Sequence, residues 1–81
     1  MKKVNIVYYA ILREKIGESE TIYVNQDLSA KGLLELLAGK YPETSNIFKV
    51  SRVACGSVLM AAQDVILQNE VISILPPSSG G

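Results

Sequence analysis

Histidine is absent from this sequence and cysteine occurs once, as Cys55. With neither in supply, the usual zinc sets, the histidine-based triads and the cysteine–histidine pairs cannot be assembled from this chain alone. A single cysteine also cannot close an intrachain disulfide. An excess of charge is missing too: eight basic residues face eight acidic ones, so no net field draws the chain to nucleic acid, a membrane surface or an acidic substrate. No apolar run approaches the roughly 18 residues needed to span a bilayer. The start, Met1 to Asn5, alternates with polar residues where a signal peptide would open an apolar stretch, and the expected location is the cytoplasm. No metal and no bound cofactor are expected, and neither nucleic acid nor membrane is an expected partner.

What is present suffices for one small core. At 81 residues and 48% hydrophobic the chain can bury roughly 60–65% of its unfolded surface without metal or disulfide staples. From Lys3 to Ala10, Val4, Ile6 and Tyr8 alternate with Asn5, Val7 and Tyr9, the period-2 pattern of a strand with apolar residues on both faces and therefore a central place in a sheet. Ile11 to Ile16 reads as a short helical turn closed by Gly17. Ser19 to Asn25 reads as a second strand, antiparallel to the first across a wide turn.

Ser29 is a good N-cap for the main helix, in which Leu33, Leu34, Leu36 and Leu37 form the buried face and Pro42 marks the stop. Gly32 and Gly39 each weaken it by about 1 kcal/mol relative to Ala, a loss that packing must offset. Lys40 suits the dipole at the helix end. Pro42 to Lys49 reads as a polar loop, Arg52 to Cys55 as a strand broken at Gly56, and Leu59 to Ala62 as a short edge segment. Ile66 and Leu67 lead to a tight turn at Gln68-Asn69, where Asn tolerates positive φ, and Glu70 to Leu75 is the last strand.

Strands interrupted by one long helix predict an α+β layer structure, a mixed sheet with the helix across one face and the first and last long strands side by side in its centre. That order matches the β-grasp of ubiquitin-like proteins, with the domain at residues 1–75 and a tail at 76–81. Pro76 and Pro77 cannot donate ladder hydrogen bonds and favour an extended exit, while Ser78, Ser79, Gly80 and Gly81 have nothing apolar to bury. Six extended residues reach about 20 Å, enough to bring a terminal carboxylate into another protein's active site. Glycine gives that tail a narrow cross-section. A carboxylate is a poor acyl group until activated, so an adenylating enzyme is the expected partner.

The sequence resembles the small subunit of molybdopterin synthase, a ubiquitin-like sulfur carrier. The resemblance rests on Val7-Tyr8-Tyr9-Ala10 followed by Leu12-Arg13-Glu14, on Val53-Ala54, on Ile66 before a tight turn, on Glu70-Val71 and on the ending Pro76-Pro77-Ser78-Ser79-Gly80-Gly81. It implies that an ATP-dependent enzyme adenylates Gly81 and that a sulfur donor converts it to a thiocarboxylate. The large synthase subunit then accepts the tail, threaded by Gly80, and sulfur passes to cyclic pyranopterin monophosphate. On this reading the chain is a non-catalytic carrier subunit of a heterotetramer whose active site lies mainly on the large subunit. Two positions depart from the family pattern: Cys55-Gly56 replace the usual Val-Asn, and Gln68-Asn69 replace an Asp-Gly turn. Two alternatives stay open: a sulfur carrier for thiamine thiazole or another product, and a ubiquitin-like modifier joined to protein lysines.

Alternation also predicts a docking surface. If Ile72 and Ile74 face the helix, then Val71, Ser73 and Leu75 face away from it, as do Asn5, Val7 and Tyr9. Val7 and Leu75, with Leu59 near them, form an exposed apolar patch read as the partner-binding face. Cys55 is read as a small buried hydrophobe, Tyr8 and Tyr9 as packing residues, and Arg13-Glu14 either as a partner contact or as a solvated charge pair.

Overall fold

Val4, Ile6 and Tyr8 point into the core of the computed structural model while Asn5 and Val7 between them do not, and this alternation sets the layer order. Residues 1–67 and 70–77 are described. The elements run β1 (Lys2–Tyr8), α1 (Ala10–Lys15), β2 (Ser19–Val24), α2 (Ala30–Lys40), a 3-10 turn (Pro42–Thr44), α3 (Ser45–Val50), β3 (Arg52–Cys55), β4 (Val58–Leu59) and β5 (Val71–Leu75). The strands form one mixed sheet in the order β2-β1-β5-β3-β4. β1 and β5 are parallel neighbours at its centre, with Ile6 beside Ile72 and Tyr8 beside Ile74, and the other pairings are antiparallel. The β-grasp expectation is met.

The expected hairpin of β1 and β2 is present as an antiparallel pair, with α1 filling its connection. Gly17 follows with φ of 144°, a backbone that favours glycine. At the start of α2, Ser29 Oγ accepts a hydrogen bond from the Gly32 amide at 3.0 Å, the expected cap. Gly32 has a local reason as well: a Cβ there would lie 3.1 Å from Leu28 Cδ1 and 3.2 Å from Ser29 Oγ.

Three expectations need correction. Leu33 and Leu37 are fully buried and Leu34 packs partly against the core, but Leu36 is exposed. At 100° per residue the four leucines span too wide an arc for one contact face, and Ala30, Leu33 and Leu37 take it instead. Residues 42–49 are not a loop: they hold the 3-10 turn and most of α3. Phe48 drives this, fully buried with its ring edge-on to Tyr8 at 6.2 Å and stacked with Tyr41 at 6.3 Å. Tyr41, Thr44 and Phe48 stand at i, i+3 and i+7, a helical spacing hidden among polar neighbours. The edge segment expected at Leu59 to Ala62 is instead the two-residue β4, Val58–Leu59. Beyond it the backbone from Met60 to Ile66 is tied to Val53 and to the start of α2, with Ala30 and Lys31 amides donating to Asp64 and Ala62 carbonyls at 2.9 Å. The turn expected at Gln68-Asn69 lies outside the described residues.

A polar cluster fastens α2 to the sheet. Tyr8 donates to Glu20 Oε2 at 2.6 Å, Tyr41 donates to the same oxygen, and Lys40 Nζ reaches Oε1 at 2.6 Å. Lys40 therefore bridges to β2 and also sits over the Tyr41 ring, at 5.4 Å from its centroid. Burial disfavours the Glu20 carboxylate, but the bonds from Lys40, Tyr41 and Tyr8 outweigh it and hold its pKa below the ordinary value. Burial first, then the Glu20 carboxylate, pushes Tyr8 far above the ordinary tyrosine range.

Candidate functional site

The face of the sheet turned away from α2 is organised by strand register. One row runs Leu59, Ala54, Ser73, Val7, Ser19 across all five strands. Val71, Asn5 and Thr21 form a second row, where the Thr21 hydroxyl donates to Asn5 Oδ1 at 3.1 Å, and Arg52 stands opposite Leu75. Val7, Leu59 and Leu75 thus share one face, with one refinement. Val7 lies directly opposite Ser73, so Leu75 is its diagonal neighbour and Arg52 is the residue beside Leu75. Val7 and Leu75 are half-buried, whereas Leu59 and Val71 are exposed at 52% and 53%. Val71 lies on this face as the alternation of β5 predicts, and Arg52 and exposed Tyr23 join it through the alternation of β3 and β2.

Strand β5 ends at Leu75 because Pro76 has no amide to continue the ladder. Since β5 is parallel to β1 and Ile74 pairs with Tyr8, the chain leaves the sheet beside Tyr9, whose backbone is still extended (φ −131°, ψ 159°). Ala10 follows with φ of 53°, uncommon for a residue with a Cβ, and turns the chain into α1 just there. The exit is thus flanked by Arg52 on one side and the end of β1 on the other. Pro76 is half-buried and Pro77 exposed. Ser78, Ser79, Gly80 and Gly81 lie outside the described residues.

The remaining candidates take structural places. Cys55 is half-buried and its thiol donates to Glu70 Oε2 at 3.4 Å. Burial and then the Glu70 carboxylate push its pKa up, the opposite of what a sulfur nucleophile needs. Arg13 pairs with Glu18 at 3.2 Å rather than with Glu14, between exposed side chains. Tyr8 is core and Tyr9 surface. Among the described residues no cluster of His, Cys, Asp and Glu could hold a metal ion. No helix among them is long and apolar enough to cross a membrane.

A sequence profile of the ThiS family matches residues 6–81. The chain belongs to the ThiS family of ubiquitin-like sulfur carriers. Solved structures agree on the fold of this ThiS-family chain. Small archaeal modifier protein 1 from Haloferax volcanii superposes with a TM-score of 0.79 at 17% identity, over 96% of this chain and 100% of that one. A Pyrococcus furiosus protein provisionally named molybdopterin converting factor subunit 1 gives 0.81 at 16% identity, over 96% and 100%. A chain from the complex of subunits 1 and 2 of the Helicobacter pylori molybdopterin-converting factor gives 0.67 at 22% identity, over 98% and 99%.

Proposed function

We propose that this chain is the sulfur-carrier subunit of a molybdopterin synthase, with the carboxylate of Gly81 as its reactive group. An ATP-dependent enzyme adenylates the carboxylate with release of pyrophosphate, and a sulfur donor displaces AMP to leave a thiocarboxylate. The large subunit then takes the tail, and sulfur passes to cyclic pyranopterin monophosphate as water cleaves the acyl carbon–sulfur bond and returns the Gly81 carboxylate. Val7, Leu59 and Leu75 hold the domain against that subunit while Pro76 to Gly80 thread into it. The observation carrying the reading is that the family match continues through residue 81, so the tail belongs to what the family shares. The solved complex of a structurally similar subunit 1 with its subunit 2 supports a large-subunit partner.

Reconstitution tests it. The loaded chain, mixed with the large subunit and the pyranopterin substrate, is expected to yield molybdopterin. Deleting Gly81, or adding one residue after it, is expected to leave the melting temperature unchanged and abolish both adenylation and sulfur loading. Loading of either variant at the normal rate overturns the proposal. The likeness to a small archaeal modifier favours one second reading, conjugation to protein lysines through Gly81. Intact-mass analysis after purification from cells separates the two: a thiocarboxylate with a co-purifying large subunit supports the carrier, and isopeptide adducts on many proteins support the modifier.

A further inference from the structure

The helix side of the molecule carries a second surface. Two adjacent cavities of about 380 Å³ and 430 Å³ share Lys31, Leu34 and Lys49 in their walls and together make a groove-like surface between α2, the end of α3 and the start of β3. Lys31, Leu34, Glu35 and Ala38 stand at i, i+3, i+4 and i+7 along α2, a stripe beside the buried one, running about 10 Å at 1.5 Å per residue. Leu34, Ala38 and Met60 supply an apolar floor, and the flexible thioether of Met60 adapts to different side chains.

Positive charge predominates at the rim. Exposed Lys31 and Lys49 stand over the groove against Glu35, the single acid in its walls among the described residues, although acids and bases balance over the whole chain. Neither lysine meets a carboxylate in an ion pair among the described residues. A free phosphate is a poor fit despite this charge. The first amides of α2 are already taken, Ala30 by the Asp64 carbonyl, Lys31 by the Ala62 carbonyl and Gly32 by Ser29 Oγ, so the helix start offers no donors. An apolar floor between spaced cations suits side chains that alternate carboxylates with aliphatic groups.

We infer that this groove docks an acidic, leucine-bearing segment of a partner protein, bound on the helix side while the opposite sheet face and the tail engage elsewhere. The carrier can then be held by one protein as its tail enters another. This goes beyond the carrier reading and does not depend on which product receives the sulfur.

The test uses the full chain, isotopically labelled for amide NMR, titrated with a synthetic peptide of alternating glutamate and leucine. Expected are shifts of the Leu34, Ala38, Lys49 and Met60 amides, with Val7 and Ser73 unmoved, and a dissociation constant of about 1 mM or tighter that weakens with salt. Replacing every leucine of the peptide by serine, or every glutamate by lysine, is expected to abolish the shifts. Lys31→Glu combined with Lys49→Glu, both at exposed positions, is expected to weaken binding at least about ten-fold with unchanged circular dichroism. No shifts at millimolar peptide, shifts centred on the open sheet face, or equal binding by the folded double variant would each overturn the proposal.

Discussion

Under α2, Ile72 and Ile74 are fully buried; one residue earlier in the same strand, on the other face of the sheet, Val71 is half exposed. β1 shows the same contrast, with Ile6 and Tyr8 inside and Val7 only partly covered. Both faces carry β-branched and aliphatic residues, but the open face mixes them with Asn5, Thr21, Ser73 and Arg52. The cover differs as well. One face is closed by α2 and by Phe48 of α3, and the other has no element of its own chain across it among the described residues. Apolar side chains on the covered face should govern stability, and those on the open face should govern association.

The contrast is broken most severely at Phe48. Phe48→Ala removes the ring packed between Tyr8 and Tyr41 and is expected to cost about 3–5 kcal/mol in denaturant unfolding. Leu33→Ala and Leu37→Ala, at fully buried positions, should cost roughly 2–5 kcal/mol. If the Phe48 variant unfolds at the wild-type midpoint, α3 is not part of the core.

Next in size is the Glu20 cluster. Tyr8→Phe removes one charge-assisted hydrogen bond and should cost about 1.5–3 kcal/mol. The depressed Glu20 pKa makes its contribution fully present above the ordinary carboxyl range and lost as pH falls through the lowered value, because the unfolded chain then binds the proton more readily. The stability gap between wild type and Glu20→Gln should therefore shrink on acidification below the ordinary value, as followed by thermal melts across pH. A gap that stays constant or widens would contradict the network.

On the open face the effect should move from folding to binding. Leu75→Glu or Val7→Glu is expected to weaken association with the large subunit by at least ten-fold, about 1.4 kcal/mol, while circular dichroism stays intact. Titration calorimetry with that partner measures it, and unchanged affinity in both variants would move the interface elsewhere. The smallest effect sharpens the comparison within one helix: Leu36→Ala, one residue from Leu37 but exposed, should change stability by no more than about 0.5 kcal/mol.

Most of the strand framework was legible because its signals are local. Alternation in 2–8 and 71–75, the Ser29 cap and the proline stop at Pro42 need only neighbouring residues to act. α3 was not legible as a helix, since its polar surroundings match a loop and its one decisive residue, Phe48, gains its energy from Tyr8 and Tyr41, far away in sequence or on another element. The Glu20 network was equally hidden: its donors come from β1, α2 and the residue just after α2, and nothing near Glu20 in sequence announces them. Val7, Leu59 and Leu75 could be placed on one face by counting, but the residues directly beside them, Ser73, Ala54 and Arg52, required the register.

The sequence by itself determined where strands and the main helix form, which strand faces are apolar, and that a proline pair ends the last strand before a glycine tail, because these follow from backbone and side-chain preferences acting over a few residues. Tertiary structure alone decided which leucines of α2 are buried, that Phe48 closes the core, that β1 and β5 run parallel so the chain exits beside Tyr9 and Arg52, and that Lys31 and Lys49 share a groove. Each of these depends on groups distant along the chain meeting in space, and the free energy of such contacts appears only once the layers have packed.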